Sequence, residues 1–350
     1  MFTSSFDGSA QDATPRKSWG WCWLGVPILC CALVSSVEAY WRARGFRSDV
    51  PNTKELWEYW RSRVYDDDGQ VIVLLGTSRM KADIDLDTVK QRLPRYRVVQ
   101  LAIVGDSSPI GTLQNLAEDE RFRGIVLCGI MAPLFDRPRW NDQRDFYGHR
   151  SASRQIRSTV CTNYLQEHLV AFNSRLRLTS LLTRWLDAHQ LPKPDFKRQT
   201  FRRSLQYDFF RSEDLGERRQ RRAEQYGSLY AQGDASNFVE MRQGLRELNE
   251  SIQRIRDRGG DVVFVRLPSS GKRLQLEEDR FLKSEFWDRI RGDVLSPCIH
   301  FQEVPALAGF ECPDDSHLDC RDTTRFTAAL IEELMRVGEV AEMRPLSGAE

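Results

Sequence analysis

An α/β fold, with a parallel sheet of about five strands covered by helices on both faces, is what this 350-residue sequence predicts. Three observations carry that expectation. Short apolar runs rich in β-branched residues stand at Val71–Leu75, 98–104, 124–128, 262–267 and 299–304, each bounded by polar turns. Helical stretches such as 86–93 and Ile110–Glu118 lie between several of them. The runs are also nearly continuous in their apolar character, as strands buried on both faces are.

The chain begins with a polar stretch, residues 1–18, whose Arg16 and Lys17 stand just before "WGWCWLGVPILCCALVSSVEAYWRAR". Residues 19–37 carry no charge, which is close to the ~20 apolar residues a helix needs to cross a bilayer. Cations ahead of the span favour a cytoplasmic tail over 1–18, although Arg42 and Arg44 beyond it blunt the asymmetry. A single-pass anchor is therefore expected over 19–39. A cleaved signal peptide is the rival, because Val37-Glu38-Ala39 has the small-x-small form of a cleavage site. Either way the domain from 45 to 338 lies outside the cytoplasm, in a periplasm or at a cell surface, and 339–350 reads as a tail.

The first strand ends on Gly76-Thr77-Ser78-Arg79. These are residues of an ordinary strand-to-helix turn, but the same corner lifts a serine hydroxyl to the top of a sheet, where a nucleophile is useful. In parallel sheets, sites sit at the carboxyl ends of the strands. Between the third and fourth runs, residues 135–260 read as a largely helical, Arg-rich insertion. Over 150–222 there are 16 Lys/Arg against 7 Asp/Glu, a net of +9. Such a block is either a solvated helical face or a surface for an anionic partner. The formal charge of the whole chain is only +1, so bulk electrostatics argue against a nucleic-acid partner.

Within the insertion, "LPKPD" at 191–195 reads as a break between helices. The best helix is expected over 236–257, where Met241, Leu245, Leu248, Ile252 and Ile255 recur at helical spacing before Gly259-Gly260 stops it. That stripe is most simply core packing against the sheet, with a partner-helix seam as the alternative. Eight cysteines are present, three of them (Cys22, Cys30, Cys31) in the apolar span. The odd number outside it leaves at least one free thiol. There is no C-x-x-C pair and the five histidines are scattered, so no zinc site is expected.

The second informative stretch is "ECPDDSHLDCRDTTRFTAALIEELM", residues 311–335. Phe326, Leu330, Ile331 and Leu334 mark a last amphipathic helix, and His317 precedes it with Asp314 three residues upstream. A carboxylate on the same turn can fix the imidazole tautomer and leave the other ring nitrogen to accept a proton from a serine. Without such a base a serine hydroxyl is a weak nucleophile. The plainer alternative makes Asp314, Asp315 and Asp319 loop and helix-cap residues and His317 a surface residue. Cys312 and Cys320 bracket the loop in an oxidising compartment, so a disulfide between them or with Cys298 is expected, with buried free thiols as the alternative.

Taken together, a serine after the first strand, Gly105 in "LAIVGDSSP" after the second, and Asp-x-x-His-Leu before a last helix resemble the SGNH/GDSL hydrolase family over about 70–337. "GGDVVFVRLPSSG", 259–271, also resembles the fourth-strand region of its anchored, extracytoplasmic members. The resemblance implies a three-layer α/β/α flavodoxin-like fold. It also implies a triad of Ser78, His317 and Asp314, and an oxyanion hole from the N–H groups of Ser78 and Gly105, with no metal and no cofactor. Substrates would be acyl esters, including those of envelope polysaccharide. The layout is similar to that of alginate O-acetylation and teichoic-acid D-alanylation proteins. One block departs. The family usually places an Asn after strand three, and "VLCGIMAPLF", 126–135, has none. Losing one oxyanion donor costs on the order of 100- to 1,000-fold in rate. A non-catalytic envelope protein that binds or assembles polysaccharide is therefore the alternative. The enzyme reading requires Ser78 and His317, about 240 residues apart, to converge within hydrogen-bond reach.

Overall fold

The computed structural model describes residues 18–66, 70–105, 107–132, 135, 137–232 and 238–337, with 18–22, 137, 138, 229–232 and 238–242 described by backbone alone. The expected tails lie outside the described residues except for Ser18, as does Asp106. Five strands form one sheet: β1 (Val71–Leu75), β2 (Arg97–Gln100), β3 (Ile125–Gly129), β6 (Asp261–Arg266) and β7 (Cys298–His300). Their order is β2-β1-β3-β6-β7 and every pairing is parallel. The order reverses between β1 and β3, which opens a crevice at their carboxyl ends.

The strands alternate strictly between two cores. Val71, Val73, Leu75, Val99, Val126, Cys128, Val262 and Phe264 face one side. Ile72, Leu74, Val98, Leu127, Val263, Val265 and Ile299 face the other. Successive strand side chains point to opposite faces, so a run apolar at every position must be covered twice. On the first side the cover is α5 (Ile110–Glu118) and α10 (Phe238–Arg256); on the second it is α4 (Leu86–Arg92), α13 (Pro305–Ala308) and α14 (Thr323–Val337). Leu245, Leu248, Ile252 and Ile255 of α10 are fully buried against the sheet, so that stripe is core; the side chain of Met241 lies outside the described residues.

Several boundaries differ from the sequence expectation. The run at 98–104 is a strand only to Gln100. Beyond it, Leu101 and Ile103 donate single hydrogen bonds of 3.0 Å to Leu74 and Gly76, because β1 has already turned into its corner. The run at 299–304 stops at His300, since 301–303 is a 3-10 turn and Pro305 starts α13. The 135–260 segment contains α6 (Arg144–Tyr147), α7 (Ser153–His168), α8 (Leu178–Ala188) and α9 (Leu215–Gln232), but also an antiparallel hairpin. That hairpin joins β4 (Lys197–Gln199) and β5 (Leu205–Tyr207). "LPKPD" therefore separates a helix from a strand. The hairpin is tied down by Arg203 at its tip, a fully buried guanidinium that donates to the carbonyls of Gln100, at the end of β2, and of Ala102 just beyond it.

One N-terminal helix, α1 (Ser18–Ala43), is long and apolar enough over Trp23–Ala43 to span a membrane, and among its described side chains only Trp41, near its end, is buried in the protein. Its last turns meet the domain. Trp41 packs with Phe46, Val170 and Leu176, and Glu38 accepts a hydrogen bond of 2.7 Å from the Ala171 N–H.

Candidate active site

Gly76 makes the corner after β1 possible. Its φ is +151°, and a Cβ there would lie 2.8 Å from Met80 Cβ and 3.2 Å from the Gly129 carbonyl, so only glycine lets the chain turn this tightly against β3. The turn leads into the short helix α3 (Ser78–Ala82), whose first residue is Ser78. The backbone N–H of a first-turn residue has no partner within its helix. Gly105 lies two residues beyond the Ile103–Gly76 hydrogen bond, which brings the segment after β2 alongside the corner. Its φ is +122°, and no atom stands within 4 Å of where a Cβ would be.

The loop before α14 supplies the other two residues. The Asp314 carboxylate accepts from the backbone N–H groups of Ser316 and His317 through Oδ1, at 3.0 and 2.8 Å, which turns the loop back on itself. Its Oδ2 lies 3.0 Å from His317 Nδ1, and His317 Nε2 lies 2.9 Å from Ser78 Oγ. The three side chains thus form a continuous relay. Asp314 and His317 are each only 2% exposed, so neither is a surface or capping residue of an open loop.

Electrostatics set the protonation state. Burial alone would raise the Asp314 carboxyl. His317 and Arg222 outweigh it and hold Asp314 well below the usual carboxylate range. An ionised Asp314 keeps the His317 proton on Nδ1 and leaves Nε2 as the acceptor for the serine hydroxyl. Burial pushes the imidazole below its ordinary range, Asp314 pulls it up, and Arg222 and Arg273 press it further down. The ring therefore stays neutral at neutral pH, as a base must.

The insertion contributes residues that the sequence reading did not assign to the site. Arg222 of α9 places Nη1 2.9 Å from Asp314 Oδ2 and 3.1 Å from His317 Nδ1. One turn earlier, Arg219 pairs with Asp315 at 2.9 Å. The Tyr207 ring at the end of β5 stacks on the imidazole, with centroids 4.4 Å apart. Gln143, also buried, donates to the Gly76 and Ser107 carbonyls and so clips the corner to the loop after β2. The i, i+3 spacing of Arg219 and Arg222 opposite the adjacent Asp314 and Asp315 was the available signal.

Just after β3, Met131 stands with its sulfur 3.2 Å from Arg79 and 3.3 Å from Arg273. Arg79, Arg266 and Arg273 converge on Glu277, and Arg273 also donates to Ser316 Oγ at 2.8 Å. All four ionic groups are at least nine-tenths buried. Behind the relay, Asp83 accepts from the Leu318 N–H, and burial holds its carboxyl well above its ordinary range.

The expected disulfide is absent. Cys298, Cys312 and Cys320 are free thiols in three different surroundings. Cys312 is buried with its sulfur on the Pro268 carbonyl, Cys298 turns to Ser296, and Cys320 donates its backbone N–H to Tyr207. Ion pairs and backbone hydrogen bonds hold the loop instead. In comparisons with known proteins, no protein-family model matches the chain and no curated protein matches it.

Proposed function

We propose that this protein is an SGNH-type serine esterase or O-acyltransferase, anchored by α1 with its domain outside the cytoplasm. The observation that carries the reading is the Ser78–His317–Asp314 relay, with contacts of 2.9 and 3.0 Å between residues from opposite ends of the domain. The 2-1-3-4-5 order of the sheet strands supports it, since that is the flavodoxin-like order, with the serine at its β1/β3 switch point.

In this reading Ser78 Oγ attacks the carbonyl carbon of an acyl ester while His317 Nε2 takes the hydroxyl proton. The N–H groups of Ser78 and Gly105 stabilise the oxyanion. Collapse breaks the bond to the alcohol, which leaves with the proton from His317, and the acyl group stays on Ser78. Water or a second hydroxyl, deprotonated by His317, then takes the acyl group and restores the serine. Water makes the protein an esterase; a sugar hydroxyl of an envelope polysaccharide makes it a transferase. No metal or cofactor enters these steps.

The test is a serine-reactive fluorophosphonate applied to the full chain. Labelling at Ser78, abolished in Ser78→Ala and strongly reduced in His317→Ala, is the expected result. A folded protein that takes no label at Ser78 overturns the reading. One observation favours the second reading, a polysaccharide-binding or assembly protein of the envelope. Residues 126–135 contain no Asn to complete the oxyanion hole. In that case cells carrying Ser78→Ala would modify their envelope polymers normally.

A further inference from the structure

We propose that α8 is an interfacial helix that lies in the surface of the same membrane that α1 spans, beside the point where α1 enters the domain. The proposal rests on α1 as a membrane anchor, and not on the chemistry of Ser78.

The helix has an apolar arc with no cover in the protein. Over its 11 residues none is buried. Leu178, Leu182, Trp185 and Leu186 fall at i, i+4, i+7 and i+8, which is one face of a helix. They are 71%, 51%, 52% and 66% exposed. Ser180, Thr183, Arg184 and Asp187 take the opposite side, so the helix is amphipathic, with its apolar half turned away from the core. Isolated exposed leucines need no explanation, but a contiguous row of three leucines and a tryptophan marks an interaction surface.

The position of that row says what covers it. Leu181, at the edge of the same arc, packs against the small cluster formed by Trp41, Phe46, Val170 and Leu176. Val37, one turn nearer the apolar span, packs against that cluster too. The connection from α7 to α8 is bolted to the anchor: Glu38 accepts from the Ala171 N–H, and Arg42 donates to the His168 carbonyl at 3.1 Å. Phe172, next to Ala171, is itself exposed. The apolar row of α8 is thus fixed within a few residues of the place where α1 leaves the bilayer. A helix with leucine and tryptophan on one face, close to a bilayer surface, buries that face at the boundary between headgroups and acyl chains. Arg177, just ahead of the helix, and Arg184, on its polar side, are both exposed and suit anionic headgroups. A second contact beside the anchor fixes the tilt of the domain, and with it the height of the Ser78 crevice above the membrane.

The experiment uses the full chain in nanodiscs of phosphatidylethanolamine and phosphatidylglycerol, with p-benzoylphenylalanine placed singly at Leu186, Leu33 or Glu332. Leu33 is in the apolar span of α1, and Glu332 is on α14, which packs against α4 and α13. Ultraviolet irradiation followed by mass spectrometry is expected to show phospholipid adducts at 186 and 33 and none at 332. An adduct at 33 without one at 186 overturns the docking of α8 and leaves the anchor standing. No adduct at either position overturns the anchor and the docking with it. Equal yields at 186 and 332, or a protein cross-link at 186 in place of lipid, also overturn the proposal, the last in favour of a second copy of the chain. In Leu182→Glu/Leu186→Glu the backbone amides of α8 should exchange with deuterium severalfold faster in nanodiscs, while those of β1 and β3 stay unchanged.

Discussion

Ser78, His317 and Asp314 are bound to one another so closely that their removal should not be additive. In a working triad the three residues act as a unit, so the losses on removing them do not add. Ser78→Ala and His317→Ala are each expected to abolish nearly all acyl-ester turnover, and the double variant to be hardly worse than either; kcat/KM on a simple aryl ester measures it. Arg222 adds a pH signature. It lowers the basicity of His317 and helps keep Asp314 ionised. The base works only when neutral, so activity should fall as pH drops through the depressed imidazole pKa. Removing the cation in Arg222→Gln raises that pKa, and the acid limb of the kcat/KM profile should move to higher pH, by on the order of one pH unit or less for a partly exposed guanidinium. An unmoved acid limb would mean that Arg222 only packs against the loop.

At the scale of elements, the sheet ends and the insertion hold the loop between them. β6 and α11 (Gly271–Arg280) carry Arg266, Arg273 and Glu277, while Arg79 comes from α3 and Ser316 from the loop before α14. One carboxylate serves three buried guanidinium groups. Replacing a single partner of a buried ionic group leaves its charges without compensation, at a cost of about 3–5 kcal/mol. Glu277→Gln is therefore expected to lower stability by that order in denaturant unfolding, whereas substitution of the exposed Glu332 should leave it within error. The arginine-rich stretch at 150–222 reads in the sequence as a solvated face or a surface for an anionic partner. Two of its arginines in fact pair with Asp314 and Asp315. Charge runs mislead in this way because their composition is visible in the chain, but the distant carboxylates that neutralise them are not.

For the molecule as a whole, stability comes from two cores on either side of one sheet and from no disulfide among the described residues. Burial raises the thiols of Cys298 and Cys312 above their ordinary range, Cys298 to about 12, so neither is readily ionised or oxidised. A thiol reductant should leave the melting temperature of the full chain in nanodiscs unchanged. A fall of several degrees on reduction would show a bridge that these thiols do not form.

The sequence by itself determined the layout: apolar runs at strand length, the α10 stripe, the apolar α1, a glycine-bounded serine corner and an Asp-x-x-His turn. Each of these is a local pattern, set by side-chain periodicity or by the conformational freedom of one residue such as Gly76. The end of β2 at Gln100, the hairpin β4–β5 and the free thiols were decided only in the tertiary structure. So were the burial of His317, the stacking of Tyr207 on it and the pairing of Arg222 with Asp314. Each depends on a partner brought close by the rest of the fold, as Arg203 is to the Gln100 carbonyl across 103 residues of chain. Periodicity records which face of an element is buried, but hydrogen bonds and ion pairs between distant residues leave no repeat in the chain to be read.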